Sequence, residues 1–140
     1  MVNIDIEYQG GLRCGATHGP SGQKLATDAP VDNGGRGEAF SPTDLVATAL
    51  GSCMLTIMAM RAEEKSIQLR GTRVRVVKHM TTSGPRRIAR LEVTLDVPPE
   101  IATRVDGPTR VELERAAAGC PVCRSLVEAI EIPIEVLWRS

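Results

Sequence analysis

The 140-residue sequence is poor in aromatic side chains, with one Phe, one Tyr and one Trp. Proteins that hold single-stranded nucleic acid usually stack its bases on aromatic rings, so this scarcity argues against such a ligand. The charge balance argues the same way, because 17 basic and 17 acidic residues give a formal net charge of zero. The composition therefore predicts binding neither to nucleic acid nor to an anionic membrane surface.

The sequence predicts neither a signal peptide nor an apolar run of membrane-spanning length. The first residues alternate polar and apolar side chains, whereas a signal peptide places basic residues before an apolar stretch. The most apolar window, 45–60, has 16 residues and contains Thr48, Ser52 and Thr56, while a span requires about 20 apolar residues. We expect a cytoplasmic protein that does not cross a membrane, with a single domain over 1–140.

Alternation of apolar and polar residues predicts several strands with one face buried. The alternating segments are 2–8, 74–76, 91–97 and 132–138. Ser83-Gly84-Pro85 predicts a turn that joins the middle two into a hairpin, and a further strand is predicted at 23–27. Because strands and helices are grouped and do not follow a regular βαβ order, the sequence predicts an α+β fold with antiparallel sheets.

A long central helix is predicted from Pro42 to about Glu64. Ser41 is a suitable N-cap, Pro42 suits the first helical position, and Asp44 follows the cap by three residues, as in a capping box. Apolar residues occupy nearly every face of the helix, which is typical of a central helix. Gly51 destabilises a helix by about 1 kcal/mol relative to Ala. We therefore expect a packing or functional reason for it, such as close approach by a second helix, which a partner chain could supply.

The four cysteines of a chain without a secretion signal are expected to be free, catalytic or metal-bound. After a predicted helix at 108–118, Cys120-Pro121-Val122-Cys123 forms a CxxC motif, with Cys120 at the cap of a new helix. Unpaired amide groups and the helix dipole lower the pKa of a thiol at such a position. Cys120 is therefore predicted to be a reactive thiol, and Arg124, four residues on, adds positive charge.

Several interpretations of the cysteines are open at this point. Cys53, midway along the central helix, is equally well explained as an ordinary core cysteine. A thioredoxin-like motif would follow a strand of a βαβ unit, whereas this CxxC follows a helix. A structural zinc site would need two more ligands, and Cys14 and His18 are the available pair. The remaining interpretation pairs Cys53 with Cys120 as an attacking and a resolving thiol.

Two segments closely resemble the OsmC-like family, which includes osmotically inducible and organic hydroperoxide resistance proteins. They are Phe40-Ser-Pro-Thr-Asp-Leu-Val-Ala-Thr-Ala-Leu-Gly-Ser-Cys53 and Arg115-Ala-Ala-Ala-Gly-Cys120-Pro-Val-Cys-Arg-Ser-Leu126. The resemblance implies an intertwined homodimer, with long central helices packed together and active sites at the subunit interface. It also implies a hydroperoxide reductase without metal or organic cofactor, in which Cys53 is the peroxidatic and Cys120 the resolving residue.

The implied chemistry is a cycle between a dithiol and a disulfide. A Cys53 thiolate attacks the peroxide O–O bond and becomes a sulfenic acid, which Cys120 converts to a disulfide. The Leu- and Met-rich surroundings of Cys53 favour organic hydroperoxides over hydrogen peroxide. Electrons come from an external dithiol, which in related reductases is a lipoylated protein. Cys123 is expected to be a spare thiol or to reshuffle the disulfide, and Cys14 to be incidental. The competing hypothesis is a non-enzymatic redox-sensing or small-ligand-binding module.

The N-terminal part of the implied site departs from the family pattern. Efficient peroxidases of the family carry an arginine that a glutamate at the helix start holds in place. Arg13, which follows Gly10-Gly11-Leu12, resembles that arginine. Thr43 stands where the glutamate would be, with Asp44 one residue later. Either a different network holds Arg13, or catalysis is weaker than in the organic hydroperoxide resistance branch.

Overall fold

The computed structural model describes residues 1–140, which form two compact units, Met1–Val46 and Ala47–Ser140. The boundary between the units lies within a long helix, α1 (Pro42–Glu63). Each unit contains one three-stranded sheet, and the predicted α+β class is confirmed. The single-domain interpretation stays a prediction.

The sheet of the first unit is antiparallel, in the order β1-β2-β3. Its strands are β1 (Ile4–Gly10), β2 (Arg13–His18) and β3 (Lys24–Asp28), and a 3₁₀ helix follows at Val31–Asn33. The sequence predicted β1 and β3 but not β2, because Arg-Cys-Gly-Ala-Thr-His has no alternation of large apolar residues. Gly10 and Gly11 adopt positive φ angles of 82° and 59°, which glycine tolerates, and so allow the turn into β2.

The apolar side chains of β1 differ from the sequence-based expectation. The alternation predicted that one face of this strand is buried. Ile4, Ile6 and Tyr8 are instead 61%, 68% and 59% exposed in the single chain. The strand was therefore predicted correctly, but its apolar face is open to solvent in this chain.

The sheet of the second unit has the order β4-β5-β6 and is mixed. Its strands are β4 (Arg73–Met80), β5 (Ile88–Val97) and β6 (Ile134–Trp138). The first two form the predicted antiparallel hairpin, but β6 pairs parallel with β5, with Leu95 opposite Val136. Three helices lie between β5 and β6: α2 (Pro99–Ala102), α3 (Gly107–Ala118) and α4 (Pro121–Ser125). Such a long connection can return the chain to the starting end of its neighbour, as parallel pairing requires.

Helix α1 begins with the predicted capping box. The Asp44 N–H donates to Ser41 Oγ at 3.1 Å, and the Ser41 N–H donates to Asp44 Oδ2 at 2.9 Å. Two orphan backbone donors are thereby satisfied, which fixes where the helix starts. The helix ends at Glu63, one residue before the predicted end.

The core of the second unit is built from one face of α1 and one face of β5. Every fourth residue of the helix and every second residue of the strand is buried, as the helix and strand periods require. These residues are Leu50, Met54, Met58 and Ala62 of α1 and Leu91, Val93, Leu95 and Val97 of β5.

Gly51 allows α1 to lie close to the hairpin. An added Cβ would come within 2.7 Å of Val76 Cγ2 and 3.4 Å of Val74 Cγ2. A packing reason for this glycine was predicted, and it is confirmed. Its neighbour is a strand of the same chain, however, and not the second helix that we expected.

By length and composition alone, α1 could cross a membrane. An 18-residue window of this 22-residue helix has a mean hydropathy of 1.6, and 33% of the window is buried inside the protein. The apolar helix is therefore longer than the 16 residues that the sequence indicated, but the expected core helix is confirmed, because Leu50, Met54 and Met58 are 0% exposed. One such helix is weak evidence, because the core helix of a folded domain passes the same test.

Candidate active site

Cys120 lies at the junction of α3 and α4. Its backbone is extended, with φ −63° and ψ 151°, and Pro121 occupies the first helical position of α4. The fixed φ of proline suits that position, and its missing N–H is one that a helix start cannot satisfy anyway. The Cys123 N–H donates to Cys120 Sγ at 3.4 Å. The predicted cap is confirmed, and the thiol that accepts this bond is fully buried, at 0% exposure.

The pKa of Cys120 moves in the direction opposite to the sequence-based prediction. Burial raises it, because the thiolate would lose its hydration. The Cys123 amide acts in the other direction but is outweighed, and the thiols of Cys53 and Cys123 raise the pKa further. A helix of only five residues aligns few peptide dipoles. Arg124, expected to add charge, donates instead through Nε to the Gly119 carbonyl at 2.9 Å.

Cys53 is within hydrogen-bonding reach of Cys120. It lies on α1 directly before the buried Met54 and is itself half-buried. The structure thus brings together two cysteines that are far apart in sequence. Cys123 belongs to the same group, which we call the thiol cluster: Cys53, Cys120 and Cys123. All three are free thiols, and Cys53 and Cys123 both act on the pKa of Cys120.

Arg13 is held by a buried carboxylate that the sequence analysis missed. Its Nε donates to Asp28 Oδ1 and its Nη2 to Asp28 Oδ2, both at 2.7 Å. Asp28 is 1% exposed and lies opposite Arg13 in the β2–β3 register. Nη2 also donates to Glu38 Oε2 at 3.1 Å. Of the two possibilities left open, a different network does hold Arg13.

The pKa of Asp28 is lowered, chiefly because Arg13 donates to its carboxylate. Burial acts in the other direction but is outweighed by this bond, by the charge of Arg13 and by the backbone N–H groups of Glu38 and Ala39. The Glu38 N–H donates to Asp28 Oδ2 at 3.1 Å. Asp28 therefore stays ionised, which keeps the arginine in one orientation.

One sequence signal could have pointed to Asp28. It is a charged residue at the end of a predicted strand, where burial requires a partner. Identifying Arg13 as that partner requires the register of β2, the strand that the sequence did not reveal. Thr43, at the position of the family glutamate, lies instead at the start of α1, with Oγ1 3.2 Å from Ser41 Oγ.

The structure contains no set of ligands that would support the zinc interpretation. No group of three or more His, Cys, Asp or Glu side chains is arranged to hold a metal ion. Cys14 lies on β2 opposite Tyr8 and Thr27. The Nδ1 of His18 is 2.6 Å from Ser21 Oγ, at the surface.

Comparisons with known proteins agree with the architecture. A family profile described as OsmC-like protein matches residues 35–135. A solved structure from Psychrobacter arcticus, of a protein proposed to be an osmotic stress induced and detoxification response protein, is 40% identical, with a TM-score of 0.89, covering 97% of this chain and 96% of that one.

Two more distant structures share the fold. An organic hydroperoxide resistance protein OsmC from Legionella pneumophila is 17% identical, with a TM-score of 0.73, covering 98% of this chain and 96% of that one. An organic hydroperoxide resistance protein from Elizabethkingia anophelis is 16% identical, with a TM-score of 0.77, covering 99% and 96%. At these identities the likeness shows the fold alone. No curated protein matches the chain.

Proposed function

The chain belongs to the OsmC-like protein family, and from this premise we propose that it is a thiol-dependent hydroperoxide reductase. Structures of the same fold include organic hydroperoxide resistance proteins. The observation that carries the proposal is the thiol pair itself: Cys53 on α1 is within hydrogen-bonding reach of Cys120 at the start of α4. Two thiols at that separation can form a disulfide after one of them is oxidised.

The difference in burial supports the proposed division of roles. Cys53 is half-buried, whereas Cys120 is 0% exposed, so a hydroperoxide reaches Cys53 first. The Cys53 thiolate attacks one peroxide oxygen, the O–O bond breaks, and the other oxygen leaves as an alkoxide that takes up a proton. Cys53 is then a sulfenic acid. Because the two thiols interact in the reduced protein, the next step joins neighbouring groups.

The resolving step converts the sulfenic acid to a disulfide. The Cys120 sulfur attacks Cys53 Sγ, the S–O bond breaks, and the hydroxide leaves with the Cys120 proton as water. The raised pKa of Cys120 keeps its thiol protonated until that step. An external dithiol then reduces the disulfide, and we propose a lipoylated protein for this role.

We propose that Arg13 supplies the positive charge of the site. Its bidentate bond to Asp28 and its bond to Glu38 support this role, since a guanidinium fixed by two carboxylates is pre-organised to stabilise an anion. The glutamate expected at position 43 is not needed for that purpose. The replacement of that glutamate by Thr43 therefore does not require catalysis to be weak.

The exposed apolar face of β1 supports a homodimer. Ile4, Ile6 and Tyr8 are each more than half exposed in the single chain, and such a group of apolar side chains normally marks an interaction surface. We propose that a second copy covers it. A cytoplasmic location fits the four free thiols, which a reducing compartment maintains.

Repeated turnover separates an enzyme from a redox sensor. Reduced protein is mixed with a large excess of cumene hydroperoxide and dihydrolipoamide, and peroxide consumption is followed. We expect many equivalents per chain, abolished by Cys53→Ser and unaffected by Cys14→Ser. A single equivalent per chain would favour the sensor hypothesis. If Cys53 does not react with the hydroperoxide, both the enzyme and the sensor hypotheses are wrong.

A further inference from the structure

Cys123 adds a third thiol to a reaction that needs only two. It is half-buried, in the first turn of α4, and its N–H donates to Cys120 Sγ at 3.4 Å. That bond directs the Cys120 sulfur toward the turn that carries Cys123. The thiol cluster therefore has two possible disulfides that share Cys120: one across the fold to Cys53 and one within the CxxC motif.

The second disulfide is compatible with the local backbone. Cys120 is the N-cap and Cys123 lies three residues later, and residues three apart on a helix have Cβ atoms about 5–6 Å apart. A disulfide brings its two Cβ atoms to about 3.5–4.5 Å. The first turn must therefore contract by roughly 1–2 Å to close the bond.

We propose that Cys123 is an exchange thiol that moves the disulfide from Cys53–Cys120 to Cys120–Cys123. The inference rests on the proposed function, which generates the first disulfide. The Cys123 thiolate attacks Cys120 Sγ, the Cys120–Cys123 bond forms, and the Cys53–Cys120 bond breaks. Cys53 leaves as a thiolate that takes up the proton lost by Cys123. The exchange involves no net oxidation or reduction.

Access and leaving-group chemistry both support this direction. An external thiol cannot reach Cys120, which is 0% exposed. An external thiol that attacks Cys53 must expel Cys120 as a thiolate, and burial disfavours that species. Cys123 already lies beside Cys120, and its attack there expels Cys53 instead. Cys120 stays bonded throughout this attack, so the exchange step itself requires no Cys120 thiolate.

The exchange returns Cys53 to the thiol state before any reductant acts. One oxidising equivalent is then stored in the CxxC disulfide while Cys53 is ready for another hydroperoxide. Without a reductant, the chain should consume about two equivalents of hydroperoxide, and a chain without Cys123 about one. The second equivalent leaves Cys53 as a sulfenic acid, because its resolving partner is occupied.

The test measures how many equivalents of hydroperoxide the chain consumes and identifies the disulfide bonds that form. Reduced protein carrying Cys14→Ser, so that no fourth thiol contributes, is mixed with two equivalents of cumene hydroperoxide, quenched over time, labelled with dimedone and analysed by mass spectrometry. We expect an early Cys53–Cys120 bond, a later Cys120–Cys123 bond and dimedone on Cys53. The matched variant with Cys123→Ser should stop at Cys53–Cys120, without dimedone.

The possible outcomes distinguish the exchange from the underlying function. If the chain with Cys123 also stops at Cys53–Cys120 after one equivalent, the exchange is wrong and the reductase proposal stands. If Cys120–Cys123 forms equally fast in a Cys53→Ser variant, hydroperoxide oxidises the CxxC motif directly. Both proposals then fail.

Discussion

Two buried ionisable groups, one in each unit, respond to burial in opposite ways. Asp28 and Cys120 are 1% and 0% exposed. The pKa of Asp28 is lowered because Arg13 donates two hydrogen bonds to it. Burial raises the pKa of Cys120, and the single hydrogen bond from the Cys123 amide does not outweigh it. Burial therefore does not determine the charge state of a group; the partners that remain after water is removed determine it.

The contrast assigns different tasks to the two groups. Asp28 remains charged and keeps Arg13 in place, so it acts as a permanent support. Burial favours the neutral thiol of Cys120, which suits the resolving role that we propose for it. The following predictions test each side of this comparison.

The largest expected effect follows removal of the thiols. Cys53→Ser should lower steady-state hydroperoxide consumption by a factor on the order of 10³ or more, as expected for loss of a nucleophile. Cys120→Ser should also stop turnover when the external dithiol reacts slowly. It should leave the first oxidation of Cys53 intact, as rapid-quench labelling can show. Equal loss of the first oxidation in both variants would contradict the division of roles.

Removing the charge of Asp28 should have the next largest effect. In Asp28→Asn, Arg13 loses its bidentate partner, and hydroperoxide turnover should fall by roughly 10-fold to 100-fold because a misplaced catalytic group can have that effect. Asp5→Asn, which removes an exposed carboxylate of β1, is the matched control. If both variants turn over equally, Arg13 does not depend on Asp28 for its role.

The stability of the protein should depend on pH in opposite senses at the two sites. Asp28, with its lowered pKa, stabilises the fold above the ordinary aspartate pKa of about 3.9, and this contribution is lost as pH falls through the folded value. Cys120, with its raised pKa, contributes fully below the ordinary thiol pKa of about 8.5. Its contribution is lost as pH rises toward the folded value.

Denaturant unfolding from acid to alkaline pH can measure both effects. Asp28→Asn should flatten the acid side of the stability curve only, and Cys120→Ala the alkaline side only. An unchanged alkaline slope in Cys120→Ala would show that the thiol is not the group that titrates there.

The smallest effect is expected for Glu38, the outer partner of Arg13. Its side chain is 67% exposed and 3.1 Å from Nη2. An exposed ion pair contributes little, so Glu38→Gln should change turnover by less than about fivefold. A loss as large as that of Asp28→Asn would mean that the exposed carboxylate supports Arg13 as strongly as the buried one.

The parts of the fold that depend on local sequence were predictable. The capping box at Ser41, the hairpin alternation and the proline after Cys120 are short-range signals, and each gave the correct element. The grouping of strands and helices also gave the class. These features need only neighbouring residues to specify them.

The parts that depend on distant residues were not predictable in the same way. The bond between Arg13 and Asp28 requires the register of β2, and the parallel pairing of β6 requires the path of three intervening helices. The pKa of Cys120 requires knowledge of its burial, which the cap position alone does not reveal. The pairing of Cys53 with Cys120 was one of several open interpretations of the cysteines, and only the family resemblance favoured it.

The parallel pairing of β6 has a consequence for synthesis on the ribosome. Hairpin β4–β5 can form as soon as both strands have emerged, but β6, at Ile134–Trp138, is made only after three intervening helices. Until then the edge of β5 is unpaired, and an unpaired edge is where chains associate wrongly. We therefore expect truncated nascent chains to require chaperone protection until the C-terminal strand has emerged.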